Sequence, residues 1–268
     1  MGEPKVQLLD MSRVPKVREG FYATNNQFQK EGPKGFVQVK VLEDDKLYVR
    51  VDLPGVPDDA VHVRVDAVRQ KVVFFSGETV VNQKEGVREY SGTAGLGCDC
   101  CEITGVADVK MKDGVLRMIL SRVRVNKDQQ DNTCTLTVPP FTGKSGIRLE
   151  DHPYVVKGRK EALFWDPTVV QGGFYFAVDV PGACGDDVEV SANENVIRFK
   201  AEIKDVGHEH DESGRTYLGS MKSPFCSPEL PLNTTHTIGW DVEFGVLKVV
   251  VLPPGITTPS TPKGTPIE

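Results

Sequence analysis

The sequence predicts an all-β chain built as two tandem antiparallel β-sandwiches. Three observations carry this. Short runs rich in β-branched and aromatic residues recur with turn signals between them. The stretch "VDLPGV" at Val51–Val56 returns as "VDVPGA" at Val178–Ala183. No long stretch shows the helical period with caps.

The strands of the first copy follow in order. "KLYVRV" runs into "DLPG", where Pro54 cannot donate to a ladder, so the strand ends or sits on an edge, and Gly55 suits the turn. Asp58 and Asp59 suit a capped turn before "VHVRV". "KVVFFSG" comes next, then a charged loop. The Asp113-Gly114 turn leads into "VLRMIL". The second copy offers "FYFAV", the Pro181-Gly182 corner, "DVEVS", the turn Asn193-Glu-Asn195, "VIRFKA" and "VLKVVV".

The two copies keep one register. Tyr48, Val51, Asp52, Pro54 and Gly55 align with Tyr175, Val178, Asp179, Pro181 and Gly182. Asp59, Val61 and Val63 face Asp186, Val188 and Val190. "VVFFSGE" answers "VIRFKAE", and "DGVLRMIL" answers "FGVLKVVV". A unit of roughly 90 residues is far longer than a solenoid repeat, so each copy reads as a domain. The expected division is an N-terminal arm at 1–35, a first domain at 36–125, a linker at 126–162, a second domain at 163–254 and a disordered Pro/Thr-rich tail at 255–268. In the linker, "TCTLTV" and "YVV" are candidate extra strands. The first 30 or so residues are expected to be ordered only if docked.

Composition narrows the function classes. With 268 residues, 39% hydrophobic and 26% charged, the chain fits a globular protein. The net charge of −6 argues against a dedicated nucleic-acid surface. No run approaches the roughly 20 apolar residues of a membrane span. The N-terminus lacks a signal-peptide core, and Val6 breaks the myristoylation pattern. The six cysteines then read as reduced thiols, and "CDCC" at Cys98–Cys101 lacks zinc spacing. A cytoplasmic location is expected, with the nucleus as alternative through the small basic cluster Lys157–Lys160.

Candidate chemistry is sparse. Asp52 and Asp179 would make a carboxylate pair only if the copies docked specially, so both read as strand-exit residues. His208 and His210, in the acidic loop "GHEHDES", are weak metal-ligand candidates, since an i, i+2 pair in a solvated loop is poor evidence. His62, His152 and His236 are isolated. No nucleophile elbow and no phosphate-cradling glycine loop occurs. The chain is expected to be no enzyme and to need no cofactor.

The order of strand, D-L-P-G-V, acidic turn, V-x-V, apolar strand ending in S-G-E, charged loop and D-G-V-L resembles the α-crystallin domain of small heat-shock proteins. It is most similar to the plant branch, where tandem-domain members occur. The anchors are Pro54-Gly55 with Gly114-Val115-Leu116, and Pro181-Gly182 with Gly245-Val246-Leu247. The likeness covers about 36–125 and 163–254. It implies immunoglobulin-like sandwiches and an ATP-independent, chaperone-like protein active in the stress response. Such a protein binds partly unfolded proteins or peptides at sheet edges. The family's peptide groove between its fourth and eighth strands would fall, by position, on Val73, Phe75, Leu116 and Met118, and on Ile197, Phe199, Leu247 and Val249. The plainer alternative is that these residues face the sandwich cores. Two other readings stand beside this one: a scaffold or adaptor subunit of a regulatory, nuclear complex, and a related co-chaperone sandwich of the CS type.

The sequence departs from that family in three places. "FCSPELPL" at Phe225–Leu232 and "GLGCDCCEI" at Gly95–Ile103 lack the arginine expected before the G-V-L strand, which puts the usual oligomer-forming salt bridges in doubt. The end, "TPIE", lacks the I/V-x-I/V motif. The arm has few aromatics beyond Phe21, Tyr22 and Phe28. Large shells are therefore not expected. Self-association, or a pair formed by the two domains of one chain, is expected instead, because linkage raises effective concentration.

Overall fold

A computed structural model describes residues 20–22, 29–31, 37–42, 46–68, 70–79, 89–96, 101–125, 136–137, 154–157, 163–166, 174–193, 196–204, 207–211, 214–222 and 236–253. Two short strands come first, β1 (Gly20–Tyr22) and β2 (Gln29–Glu31). The first copy contributes β3 (Val37–Val41), β4 (Leu47–Asp52), β5 (Val61–Val65), β6 (Val72–Glu78), β7 (Glu89–Leu96), β8 (Cys101–Lys112) and β9 (Val115–Arg124). Between the copies lie β10 (Leu136–Thr137) and β11 (Tyr154–Lys157). The second copy contributes β12 (Leu163–Asp166), β13 (Phe174–Asp179), β14 (Val188–Asn193), β15 (Val196–Glu202), β16 (Thr216–Lys222), β17 (Thr237–Glu243) and β18 (Val246–Leu252). Among the described residues the only helical piece is a 3-10 turn at Gly185–Asp187, and no helix is long and apolar enough to cross a membrane.

Both copies use one topology. Sheet order β3-β4-β9-β8 in the first matches β12-β13-β18-β17 in the second, and β5-β6-β7 matches β14-β15-β16. All pairings are antiparallel, so each copy is a two-sheet sandwich. The duplication read from the corners thus extends to strand order.

Period-2 alternation fills each interior. In β6, Val73 and Phe75 point inward and Val72 and Phe74 are half-buried. In β15, Ile197, Phe199 and Ala201 are buried between exposed Arg198, Lys200 and Glu202. The first core gathers Leu47, Val49, Val51, Leu116 and Met118, and the second gathers Phe174, Phe176, Val178, Leu247 and Val249. Burying one such side chain stabilises by about 1.5–3 kcal/mol.

The Pro-Gly corners are built twice in the same way. The Leu53 amide donates to the Gly114 carbonyl and the Val180 amide to the Gly245 carbonyl, each at 2.8 Å. The Tyr90 hydroxyl donates to the Pro54 carbonyl at 2.8 Å, and the Tyr217 hydroxyl to that of Pro181 at 2.9 Å. Burial pushes Tyr217 up to about 12 and raises Tyr48 as well, the latter with help from the Asp211 charge. A raised phenol contributes stability that is complete below its ordinary value near 10 and lost as pH rises through the folded value. Absorbance at 295 nm, followed with circular dichroism between about pH 9 and 12.5, should show at least two of the six tyrosines ionising only together with unfolding. Full tyrosine titration near pH 10 with the β signal intact would contradict this placement.

The segments outside the copies cross over. β2, which precedes the first copy, pairs with β16 of the second. β11, which precedes the second copy, pairs with β7 of the first, and β1 adds to β11. Each copy's middle sheet is thus extended by a strand lying ahead of the other copy. Both linker stretches marked as candidate strands form strands, β10 and β11. The tail at 255–268 and the run Phe225–Leu232 lie outside the described residues.

Candidate functional site

β4 is buried at every position, on both faces. Leu47, Val49 and Val51 belong to the first core, so something must cover Tyr48, Arg50 and Asp52 on the outer face. That cover is the second copy.

The contact begins at the two corners and is reciprocal. The hairpin turns at Asp113-Gly114 and Phe244-Gly245 have positive φ at both residues, as two-residue turns of the favoured hand require. The Gly55 amide donates to the Phe244 carbonyl at 2.8 Å, and the Gly182 amide donates to the Asp113 carbonyl at 2.7 Å. A Cβ on Gly114 would stand 2.4 Å from the Phe244 oxygen, and one on Gly245 would stand 2.4 Å from the Asp113 oxygen. Only glycine lets the two turns approach this closely.

Beside the corners lies a buried ion network. Arg215 reaches across from the start of the second copy's β16 and donates from Nη1 to Asp52 Oδ2 at 2.7 Å. Arg117, on β9, donates from Nε to Asp211 Oδ2 at 2.9 Å. Arg50 lies between the two carboxylates, 3.5 Å from Asp211 and a looser 3.9 Å from Asp52. All five residues are 5% exposed or less. Burial works against the Arg215 charge, but Asp52 and Tyr217 more than offset it and hold its pKa above the ordinary range. Ions this deep are retained only in pairs, because an unpaired buried charge is very costly.

The loop of the second copy completes the contact. The Gly207 carbonyl accepts from Lys110 Nζ at 2.9 Å. The His208 side chain is buried beside Tyr48, with ring centroids 4.8 Å apart, and its Nε2 is 3.1 Å from Asp108 Oδ2. The backbone amide of His210 donates to His208 Nδ1 at 3.1 Å. The two histidines nominated as metal ligands therefore stand at the docking surface. Among the described residues no group of three or more His, Cys, Asp or Glu gathers in metal-binding geometry.

Asp52 is not paired with Asp179 in a carboxylate site. It is buried against arginines, while Asp179, at the end of β13, is half-buried. The eight expected groove residues all lie inside the cores, at 4% exposure or less: Val73, Phe75, Leu116 and Met118 in the first, and Ile197, Phe199, Leu247 and Val249 in the second. The half-buried apolar side chains sit nearer the open rims. Among them, on the edge strands β5, β8, β14 and β17, are Val61, Val63, Val65 and Val106 in the first copy, and Ala192, Ile238, Trp240 and Val242 in the second.

Sequence reasoning missed Arg50, Arg117 and Arg215, and took Asp211 only as a weak metal-ligand candidate of the acidic loop beside His208 and His210. A signal was present: Arg50 and Arg117 each interrupt an apolar run, Leu47–Val51 and Val115–Leu120, at positions that hold Ala177 and Lys248 in the second copy.

The family described as "Predicted plant small heat shock protein" matches residues 8–254. The chain is 41% identical over 116 residues to the "Putative 57 kDa heat shock protein" of Arabidopsis thaliana, covering 42% of this chain and 21% of that one. It is 32% identical over 87 residues to the "Heat shock 22 kDa protein, mitochondrial" of Glycine max, covering 32% of this chain and 38% of the relative. The chain thus spans well under half the length of either curated relative. The family match runs through both corners, both sandwiches and the segment joining them, and the chain belongs to the predicted plant small heat shock protein family.

Proposed function

We propose that the protein is an ATP-independent holding chaperone that takes extended, partly unfolded protein segments on the rims of its two sandwiches. One observation carries this reading. β5 and β8 are edge strands of opposite sheets that approach one another in the first copy, and half-buried Val61, Val63, Val65 and Val106 line that rim. An edge strand presents unpaired backbone groups, and apolar side chains beside it give an extended peptide something to bury. β14 and β17 are the corresponding edges of the second copy. The eight core residues expected from the resemblance would form the floor beneath these rims, reached when an occupant parts them. On this reading the boundaries 36–125 and 163–254 separate two client-holding units, working without catalysis or cofactor in a cytoplasmic setting.

The experiment is a client assay without nucleotide. A heat-labile enzyme is warmed with and without an equimolar amount of the protein, and light scattering is followed. Suppressed scattering is expected, and Val63→Asp should weaken it because a charge then faces the rim. Unchanged scattering, with one defined partner recovered in pull-downs, would instead support the dedicated adaptor.

A further inference from the structure

The two docking faces are not alike, and the difference is chemical. On the first copy's outer face stand Tyr48, Arg50 and Arg117, met by Asp211 from the second copy's loop. The same positions of the second copy hold Tyr175, Ala177 and Lys248. There Tyr175 and Ala177 join Val246 in a small apolar cluster, and Lys248 pairs with Glu243 of its own hairpin at 2.7 Å.

The partner position differs too. Six residues before Tyr217 the second copy has Asp211, whereas six residues before Tyr90 the first copy has Lys84. The other ion pair is not discriminating in sequence. Asp52 and Arg215 have the same residue types at Asp179 and Arg88. Lys84 and Arg88 lie outside the described residues, so they enter here as sequence positions alone.

We propose that Arg50 and Arg117 facing Asp211 form a specificity lock, which makes the first copy pair with a second copy and refuse a copy of its own kind. A pair of two first copies has no Asp211 to meet Arg50 and Arg117, since the aligned sequence position carries the cationic Lys84. Two second copies would bring Asp211 to Ala177 and Lys248, with no arginine to meet it. Either mispairing leaves a buried charge uncompensated, which makes mispairing about a hundredfold or more rarer. The common Asp52–Arg215 type of pair gives adhesion, and the unshared arginines give choice. The outcome is a chain that closes on itself and does not exchange halves with a second chain.

The test uses full-length chains. Asp211→Arg in one chain and Arg117→Asp in another each spoil the lock within that chain. In an equimolar mixture, each defective half finds its complement on the other chain. Light scattering should then show a particle of twice the 29.5 kDa single-chain mass, which neither variant forms alone. The chain carrying both substitutions should return to single-chain mass. A mixture that stays at single-chain mass, with both variants keeping their β spectrum, overturns the proposal. Should either variant fail to fold, dye-labelled chains decide it. Wild-type chains should show no energy transfer on mixing, while Asp211→Asn chains should develop it as their halves exchange. Energy transfer between wild-type chains, or none between Asp211→Asn chains, overturns it as well.

Discussion

Replacing Asp52 by asparagine should destabilise the protein by about 3–5 kcal/mol. The carboxylate is 3% exposed and takes a 2.7 Å charge-assisted hydrogen bond from Arg215, with Arg50 on its other side. Asparagine keeps the shape and removes the charge, so three guanidinium groups, of Arg50, Arg117 and Arg215, remain buried with Asp211 as the only carboxylate of the network. For a chain of this size the melting temperature should fall by roughly 6–20 °C. Asp179→Asn provides the comparison, because that carboxylate occupies the same corner but is half-buried and stays partly solvated. Its loss should be clearly smaller. Urea melts of the two variants, read by circular dichroism, check this. Equal midpoints would mean that the network does not hold the copies together.

Gly114→Ala should be nearly as severe, for a different reason. Gly114 has φ +72°, and an added Cβ would lie 2.4 Å from the Phe244 oxygen and 3.1 Å from Pro54 Cα. Both obstacles are backbone, so neither can rotate away. The left-handed conformation alone costs alanine roughly 1–2 kcal/mol, and separating the turns strains the two amide–carbonyl bonds made by Gly55 and Gly182. A total above about 3 kcal/mol is expected, in line with the large strain and overpacking effects. Gly245→Ala should match it, since its Cβ would meet the Asp113 oxygen at the same 2.4 Å. Gly105→Ala, with nothing within 4 Å of the added Cβ and no positive φ, should change stability by less than about 0.5 kcal/mol. Chemical denaturation of the three variants, with amide exchange at Gly55 and Gly182, separates loss of the inter-copy contact from ordinary strain. Unchanged exchange at both amides would show that the turns do not need each other.

Much of the fold was legible in the residues. Proline and glycine at the corners, acidic turns, and Gly-Val-Leu after the hairpin mark the strand boundaries through local backbone chemistry, which does not depend on the partner copy. The alternation in β15 is clean, with Arg198 and Lys200 facing out. In β6, however, Val72, Val73, Phe74 and Phe75 are apolar on both faces, so the pattern does not tell which parity is core. Position within the family pattern pointed at the core parity, Val73 and Phe75, while Val72 and Phe74 of the same strand are half-buried.

The ion network was hidden for a longer-range reason. Arg117 and Asp211 lie 94 residues apart, and Asp52 and Arg215 lie 163 apart. Taken alone, an arginine on the outer parity of a strand reads as solvated. It is buried only because a second sandwich docks there. Likewise β1 and β2 are three-residue strands with no alternation to announce them. Their positions come from pairing with strands that belong to other parts of the chain.

The central claim is that the two sandwiches pair within one chain, so that linkage replaces the association of separate subunits. Solution mass by light scattering across a hundredfold dilution tests it most directly. The account predicts 29.5 kDa at every concentration. A mass that rises to two or more chains, and falls to one chain in Asp52→Asn, would place the corner-to-corner pairing between chains and contradict it.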